Sequence, residues 1–165
     1  MKGAISVSSD YTYSFEKNGF CLHVHERVHQ IFDAARQTAP HDHEKFGVLI
    51  GSKTVDEEQY WIEHVTQPLP RDQSTRTSFT MMDPGHQKAL DKFFKKSGGQ
   101  NIYMGTWHTH PQKFPTPSHI DRSDWRSCIR RNIDRQLFFF IIGTEQNKAY
   151  FRGERNFLSL EQVND

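Results

Sequence analysis

Two histidines and an aspartate lie close together in the second half of the chain, in a spacing that suits metal binding. His108 and His110 are separated by one residue, and Asp121 follows after a short loop. Imidazole nitrogens and carboxylate oxygens are ligands that Zn²⁺ accepts, and three protein ligands leave a fourth position open for water. The pattern therefore predicts a catalytic zinc centre with these three residues as its ligands.

The elements around these residues indicate how the ligands could converge. If the segment from Ile102 to His110 is a strand, its two-residue period places both histidines on the same face. Ser118 three residues before Asp121 is typical of a helix N-cap with an acidic residue in the first turn. We therefore expect a strand that carries the histidines and a capped helix that holds Asp121 beside them.

Other polar residues offer alternatives to this site. The chain contains two further His-x-His pairs, His23/His25 and His41/His43, but neither precedes a Ser-x-x-Asp sequence. A second metal site at His41/His43 is the alternative to a polar loop near the cleft. Cys128 is interpreted as a core residue, because no base is identifiable beside it.

Composition points to one domain, residues 1–165, without nucleic acid or a membrane as partner. The net charge is +1 and the pI is about 7.9, so no global charge favours an anionic polymer or surface. The longest apolar run, residues 137–142, is too short to span a bilayer, and no signal peptide is recognisable. Two cysteines do not make a disulfide framework. These features predict a cytoplasmic protein.

Hydrophobic periodicity predicts an α/β fold, a mixed sheet with about three helices. The predicted helices are at about residues 25–38, from Asp83-Pro84 to about 98, and from Ser118 to about 132. Strands are predicted at about residues 46–51, 58–69, 77–81, 102–110, 137–142 and 149–152. Asn18-Gly19 predicts a hairpin turn, and the tail from Glu154 is predicted to add a short helix.

Two stretches together resemble the JAMM motif of the MPN-plus (JAB-type) metallopeptidases. The first is His108-Thr109-His110-Pro111 with seven residues between His110 and the Ser118-x-x-Asp121 sequence. The second is the segment from Glu44 to Gly51, which is similar to the family's Glu-x-x-Gly-x-Leu-x-Gly entry strand. The resemblance in order and spacing extends from about residue 25 to residue 153.

This resemblance implies a fold, a reaction and a set of residue roles. The implied fold is the JAMM, cytidine-deaminase-like fold, a curved mixed sheet flanked by helices. The implied reaction is zinc-dependent hydrolysis of a peptide or isopeptide bond. By motif position His108, His110 and Asp121 would ligate zinc, Glu44 would be the general acid/base, and Ser118 would hydrogen-bond the developing oxyanion.

Elementary chemistry is consistent with those roles. Zinc lowers the pKa of a bound water to about 7, and a nearby carboxylate can take its proton and return it to the departing amine. Glu57, Glu58 and Glu63 are rival acids by composition, and each is interpreted as solvated surface. Ser118 could instead be a helix cap alone.

Within the family the chain is similar to stand-alone bacterial forms, some of which accompany E1- and E2-like proteins in CBASS antiphage operons. The implied substrate is a ubiquitin-like or otherwise conjugated protein with an extended C-terminal tail, and the loop Gln67 to Thr77 is the expected part of its groove. Alternatives are processing of a ubiquitin-like or sulfur-carrier precursor, a non-catalytic MPN scaffold and a RadC-like protein. Arg122, Arg126 and Arg130 form a basic helix face, interpreted as solvated, with an acidic partner as the alternative.

Overall fold

Three helices and eleven strands make up the part of the chain that the structure describes, residues 10–11, 13–17 and 19–164 of a computed structural model. The helices are α1 (Glu26–Ala35), α2 (Gly85–Lys96) and α3 (His119–Arg131). The strands are β1 (Tyr13–Lys17), β2 (Phe20–Val24), β3 (Phe46–Lys53), β4 (Gln59–Val65), β5 (Gln73–Ser74), β6 (Phe79–Thr80), β7 (Ile102–Thr109), β8 (Phe138–Ile142), β9 (Asn147–Arg152), β10 (Phe157–Ser159) and β11 (Glu161–Asn164).

Nine of these strands form one sheet in the order β10-β9-β8-β7-β3-β4-β2-β1-β11. The pairs β2–β4 and β7–β8 are parallel and the other neighbours are antiparallel, so the sheet is mixed. The remaining strands, β5 and β6, form a separate hairpin. The prediction of an α/β fold with a mixed sheet and three helices is confirmed.

The last strands explain why the sheet is curved. β10 and β11 are its two edges, yet only Leu160 separates them along the chain. The first half of this segment pairs with β9 and the second half with β1, so both edges must approach the same short stretch. Leu160 is buried, and its backbone N–H donates to the carbonyl of Ala149 (2.8 Å). This segment satisfies backbone groups that an open edge would expose.

The short helix predicted after Glu154 is therefore wrong. Phe157 instead extends along β9 and packs its ring edge-on against Trp125, with the centroids 5.2 Å apart. Pairing with two strands that are distant in sequence outweighs the local pattern, which alone suits a helix. The predicted hairpin turn at Asn18-Gly19 has its second residue among the described ones, where Gly19 has a φ of +94° between paired β1 and β2. Asn18 lies outside the described residues.

Helices cover the sheet on both faces, and β8 shows this directly. Its residues alternate between two apolar clusters, with Phe138, Phe140 and Ile142 in one and Phe139 and Ile141 in the other. Helix α1 contributes its buried side chains to the first cluster, and α3 contributes Trp125 and Cys128 to the second. A strand that is buried on both faces reads as a continuous apolar run, as the sequence predicted.

The helix boundaries differ from the predicted ones at the start of α2 and at the end of α1. Helix α2 begins at Gly85 with Pro84 as its N-cap, one residue later than the predicted start with Asp83 as N-cap, although Asp83 Oδ1 still accepts a hydrogen bond from Gly85 N (2.8 Å). Helix α1 ends at Ala35, although the sequence predicted continuation to Thr38. The Arg36 side chain leaves the helix to donate to Gly143 O and Asn147 Oδ1, each at 2.9 Å. Within the described ranges, no helix is long and apolar enough to cross a membrane.

Candidate metal centre

Strand β7 and the first turn of α3 bring together the three predicted ligands. β7 lies between β3 and β8 in the middle of the sheet, so its backbone is fixed on both sides. His108 is 1% exposed, and His110 and Asp121 are each 8% exposed. Among the described residues they form the group of His, Cys, Asp and Glu side chains that could hold a metal ion.

The donor atoms of this cluster face one another closely. His108 Nε2 lies 3.0 Å from His110 Nε2 and 3.3 Å from Asp121 Oδ1. His110 Nε2 lies 3.1 Å from Asp121 Oδ2. Ligands of a tetrahedral zinc ion at a bond length near 2.0 Å are about 3.3 Å apart, so the spacing and the donor types fit that ion.

A capping box fixes the carboxylate. The backbone N–H of Ser118 donates to Asp121 Oδ2 (2.8 Å), and the N–H of Asp121 donates to Ser118 Oγ (3.0 Å). The predicted N-cap at Ser118 is confirmed, and it orients the Asp121 side chain by two reciprocal bonds. Because Ser118 Oγ accepts the bond to the helix, its own hydroxyl proton can be donated elsewhere.

The electrostatics of the cluster favour the metal-binding forms of Asp121 and His108 but the protonated form of His110. Burial raises the pKa of Asp121, but hydrogen bonds to His108 and His110 outweigh it and hold that pKa well below its usual range. Burial lowers the pKa of His108, which favours the neutral imidazole. Burial also lowers the pKa of His110, but the nearby Asp121 carboxylate raises it more strongly. Metal binding needs the deprotonated forms of all three groups.

Glu44 lies beside this cluster without belonging to it. Its side chain is buried, and Glu44 Oε1 is 3.9 Å from His110 Nε2. Burial raises the pKa of Glu44 to about 8, and the charge of Asp121 adds to that effect while the charge of His110 opposes it. The carboxyl group is thus close enough to reach a molecule bound beside the three predicted ligands.

The rival residues lie elsewhere. Glu57, Glu58 and Glu63 do not line the cavity at the metal centre, and Glu63 accepts instead from Asn101 Nδ2 (3.3 Å). His41 and His43 are exposed and do not join a metal-binding group within the described part of the chain. Cys128, as the sequence indicated, is a core residue, and burial raises the pKa of its thiol.

A cavity of about 850 Å³ opens next to the metal centre. Its floor is formed by β3 and β7, one wall by α3, and the other by α2 and the segment from Thr77 to Asp83. The sequence placed a groove wall at Gln67 to Thr77, but of that stretch only Thr77 lines the cavity. The β5–β6 hairpin turns the chain back so that its second strand and the residues after it face the cavity.

The sequence did not single out Phe79, the residue that joins this wall to the metal centre. Its ring stacks on Phe46 with the centroids 4.6 Å apart and lies 5.2 Å from the ring of His108. Phe46 directly follows the loop that carries Glu44 and is fully buried. The sequence signal that could have identified Phe79 is an aromatic residue within a polar segment, because an aromatic side chain is seldom left fully exposed.

Asp72 anchors both ends of the loop that carries the β5–β6 hairpin. Asp72 Oδ1 accepts from the backbone N–H groups of Met82 (2.8 Å) and Asp83 (2.9 Å). Asp72 Oδ2 accepts from Leu69 N (2.8 Å) and contacts His86 Nε2 (2.6 Å). The Asp72 side chain is 1% exposed, so water cannot reach these donors and take the place of the carboxylate as their acceptor.

We expect Asp72→Ala to lower the free energy of unfolding by about 3 kcal/mol, because it leaves several buried donors unpaired. Burial raises the pKa of Asp72, but the hydrogen bonds that its carboxylate accepts lower the pKa by more, so the net shift is downward. A lowered pKa contributes stability above the unfolded value and loses it as the pH falls through the folded one. The difference between wild type and variant should therefore be constant above about pH 5 and shrink below about pH 4.

Urea unfolding at several pH values measures this difference. Asp91→Ala, which removes an exposed aspartate of α2 that accepts from Gln87, is the matched control and should cost less than about 0.5 kcal/mol. A cost for Asp72→Ala no larger than that of Asp91→Ala would contradict the anchoring role.

Comparisons with known proteins find a matching family model, similar sequences and a similar solved structure. The family model described as prokaryotic homologues of the JAB domain matches residues 25–156. A "CD-NTase/cGAS isopeptidase" of Pseudomonas aeruginosa is 32% identical over 133 residues, which are 80% of this chain and 83% of that protein. One of Vibrio cholerae with the same name is 33% identical over 68% of this chain and 67% of its own length. The solution structure of protein DSY2949 from Desulfitobacterium hafniense is 26% identical, with a TM-score of 0.56 over 85% of this chain and 88% of that one.

Proposed function

This chain belongs to the family of prokaryotic homologues of the JAB domain, and on that premise we propose that it is a zinc-dependent isopeptidase or peptidase. The observation that carries the proposal is the buried cluster of His108, His110 and Asp121, with Glu44 beside it at one end of a long cavity. This arrangement is open to a substrate on one side and protected from bulk water on the other.

The side chains of the cluster would hold the zinc ion through His108 Nε2, His110 Nε2 and a carboxylate oxygen of Asp121. When bound, zinc lowers the pKa of a water molecule and polarises the scissile carbonyl. The capping box keeps the Asp121 carboxylate from rotating, and the central position of β7 keeps the two imidazoles from separating. Such rigidity is what preserves a reactive geometry.

Glu44 would move the proton. Its carboxylate accepts a proton from the attacking water at Oε1, the oxygen closest to His110. Burial favours the protonated form that results, and the same oxygen then delivers the proton to the departing amine. Ser118 would donate its hydroxyl proton to the oxyanion of the tetrahedral intermediate, since its oxygen already accepts the N–H of Asp121.

The cavity shape and the names of the relatives suggest the substrate. We propose that the C-terminal tail of a conjugated protein lies in the cavity as an extended chain, and that the bond after this tail is cleaved. The relatives are named CD-NTase/cGAS isopeptidases, so a conjugated CD-NTase-type protein, joined by E1- and E2-like partners in a CBASS antiphage system, is the proposed substrate. Processing of a ubiquitin-like or sulfur-carrier precursor would use the same cavity. A non-catalytic scaffold would not need the complete set of ligands.

A cleavage assay with metal control tests this function. The purified protein should contain one zinc per chain and should release the partner from a fusion joined through the tail of a CD-NTase-type protein. A strong chelator should stop the cleavage, and added Zn²⁺ should restore it. Absence of bound zinc after purification and after addition of Zn²⁺ would contradict the enzyme proposal and favour the scaffold. Cleavage of a linear precursor but not of an isopeptide-linked conjugate would favour the processing role.

The far end of the cavity predicts a preference within the tail. Arg131 and Arg135 line it, and Arg131 lies ten residues after Asp121 on α3, or about 15 Å along the helix. An extended peptide covers that distance with about four or five residues. We expect an acidic residue at this distance from the cleaved bond to raise kcat/KM, and the double variant Arg131→Glu, Arg135→Glu to reduce it about threefold to tenfold.

Charge-swapped substrates measure this preference. A tail with Lys at that position should be cleaved better by the double variant than by the wild type. Arg126→Glu, on the same helix but outside the cavity lining, is the control and should change kcat/KM by less than twofold. Equal losses for Arg126→Glu and the double variant would indicate a general charge effect and contradict a specific contact.

A further inference from the structure

Gln37 is a buried polar side chain with three hydrogen bonds to three different segments. It is 2% exposed and follows the end of α1. Its Nε2 donates to the carbonyls of Asp42 (3.0 Å) and Arg76 (2.9 Å), and its Oε1 accepts from Thr109 Oγ1 (2.7 Å). A primary amide offers two donors and an acceptor, so this environment uses each of its functional groups.

All three of these segments adjoin Glu44 or the metal ligands. Asp42 lies two residues before Glu44, and Thr109, the last residue of β7, lies between His108 and His110. Thr109 Oγ1 also accepts from Lys45 N (2.9 Å), the residue directly after Glu44. The loop around Glu44 is thus attached to β7 through Gln37 on one side and directly through Thr109 on the other.

The third segment joins the cavity wall to the same network. Arg76 is in the turn of the β5–β6 hairpin, and the neighbouring carbonyl of Thr75 accepts the backbone N–H of Glu44 (2.8 Å). The Arg76 side chain contacts the loop that follows α1, where its Nη1 donates to Ala39 O (3.1 Å) and Pro40 O (2.8 Å). The hairpin and the Glu44 loop therefore share their supports.

We propose that Gln37 is a positioning residue that holds the Glu44 loop and the β5–β6 hairpin as one unit at a fixed distance from β7. This inference rests on the proposed function, because Glu44 moves the proton there and the segment after the hairpin contacts the tail. Loss of the amide would let Glu44 shift relative to the metal centre without removing any ligand. A displacement of about 1 Å is enough to slow a reaction about 100-fold.

The test compares the same substitution at the buried Gln37 and at the half-buried Gln59. Gln37→Met keeps the length of the side chain and removes its hydrogen bonds. Gln59→Met is the matched control, because it also removes a side-chain amide, whose Oε1 contacts His23 Nε2 (2.6 Å). Gln59 lies beside the end of β3 that is opposite to Glu44, where its carbonyl accepts from Thr54 N (2.9 Å). The eight residues of β3 separate this position from Glu44 by about 25 Å.

We expect Gln37→Met to lower kcat about 10- to 100-fold, with KM changed less than about threefold and one zinc retained per chain. Gln59→Met should leave kcat within twofold of wild type, even if it lowers the melting temperature as much as Gln37→Met does. Hydrogen–deuterium exchange, which needs no substrate, should accelerate in residues 41–46 and 73–80 of Gln37→Met, and around β2 and β4 of Gln59→Met.

Two outcomes would overturn the inference. The first is a kcat for Gln37→Met as high as that of Gln59→Met, and the second is exchange that accelerates uniformly along the chain. If Gln37→Met does not fold, Thr109→Val, which removes the hydroxyl from the other side of the same network, is measured in its place with the same criteria. Failure of the proposed function would appear separately, as wild type that cleaves nothing, while the exchange pattern would still decide whether Gln37 links the two segments.

Discussion

Glu44→Gln lowers kcat about 10²- to 10⁴-fold and leaves one zinc bound per chain, if Glu44 moves the proton. The amide has nearly the same size as the carboxyl group and can occupy the same buried space, but it cannot take a proton from water. Glu44 Oε1 is 3.9 Å from His110 Nε2 and stands apart from the three ligand atoms, so its replacement should not remove the metal. Steady-state kinetics and metal analysis on the same preparation measure both effects.

Glu63→Gln is the matched control for this prediction. Glu63 is a half-buried glutamate of β4 that accepts from Asn101; Asn101 lines the cavity, but Glu63 itself does not. Its kcat should remain within about threefold of wild type, since it changes only a peripheral hydrogen bond. If Glu44→Gln kept near-normal turnover with zinc bound, another group would have to move the proton and the assignment would be wrong. If it lost zinc, Glu44 would have to be interpreted as a ligand.

The group formed by His108, His110 and Asp121 could be predicted from sequence because the placement of each residue depends on local structure. The two-residue period of a strand places His108 and His110 on one face, and an N-cap fixes Asp121 relative to Ser118. Only the approach of β7 to α3 is long-range, and the short loop between them limits that approach. The structure places the donor atoms of the three residues 3.0 to 3.3 Å apart, so these local rules were sufficient.

The features that the sequence did not give depend on contacts between distant residues. The tail became strands because β9 and β1 both offered unpaired edges, and no pattern within residues 154–164 records that. Helix α1 ended early because Arg36 reaches Gly143 and Asn147, which lie more than one hundred residues further along the chain. The buried role of Gln37 follows from that early end, so it was equally hidden from local reasoning.

The cavity wall is an intermediate case. The sequence predicted that the loop from Gln67 to Thr77 borders a substrate groove, but in the structure the cavity is lined by the next stretch, Thr77 to Asp83. The predicted stretch contains Asp72, whose carboxylate joins the two ends of the loop that carries the β5–β6 hairpin. An aspartate in a polar loop is ordinarily read as exposed, and only the folded structure shows its side chain accepting three backbone N–H groups.

The second large effect is expected for His108→Ala, which should abolish both zinc binding and cleavage. His108 is fully enclosed, and its imidazole contacts both of the other ligands. The substitution removes one of three donors and also leaves the Asp121 carboxylate buried with a single imidazole partner, which costs stability. Wild type should gain stability on addition of Zn²⁺, by about 2.7 kcal/mol at a free concentration one hundred times the Kd. His108→Ala should show no such gain.

Melting curves with Zn²⁺ and with chelator distinguish this loss of binding from a simple loss of stability. His119→Ala is the matched control, since His119 lies within the same motif but is exposed on the first turn of α3. It should keep the zinc-dependent increase in melting temperature, and so should Glu44→Gln, which retains all three ligands. One zinc bound by His108→Ala with wild-type affinity would show that the ion lies elsewhere, and His41 and His43 would then be the next histidines to replace. The loss of zinc-dependent stabilisation in His108→Ala, with its retention in Glu44→Gln, would separate the residue that holds the ion from the residue that moves the proton.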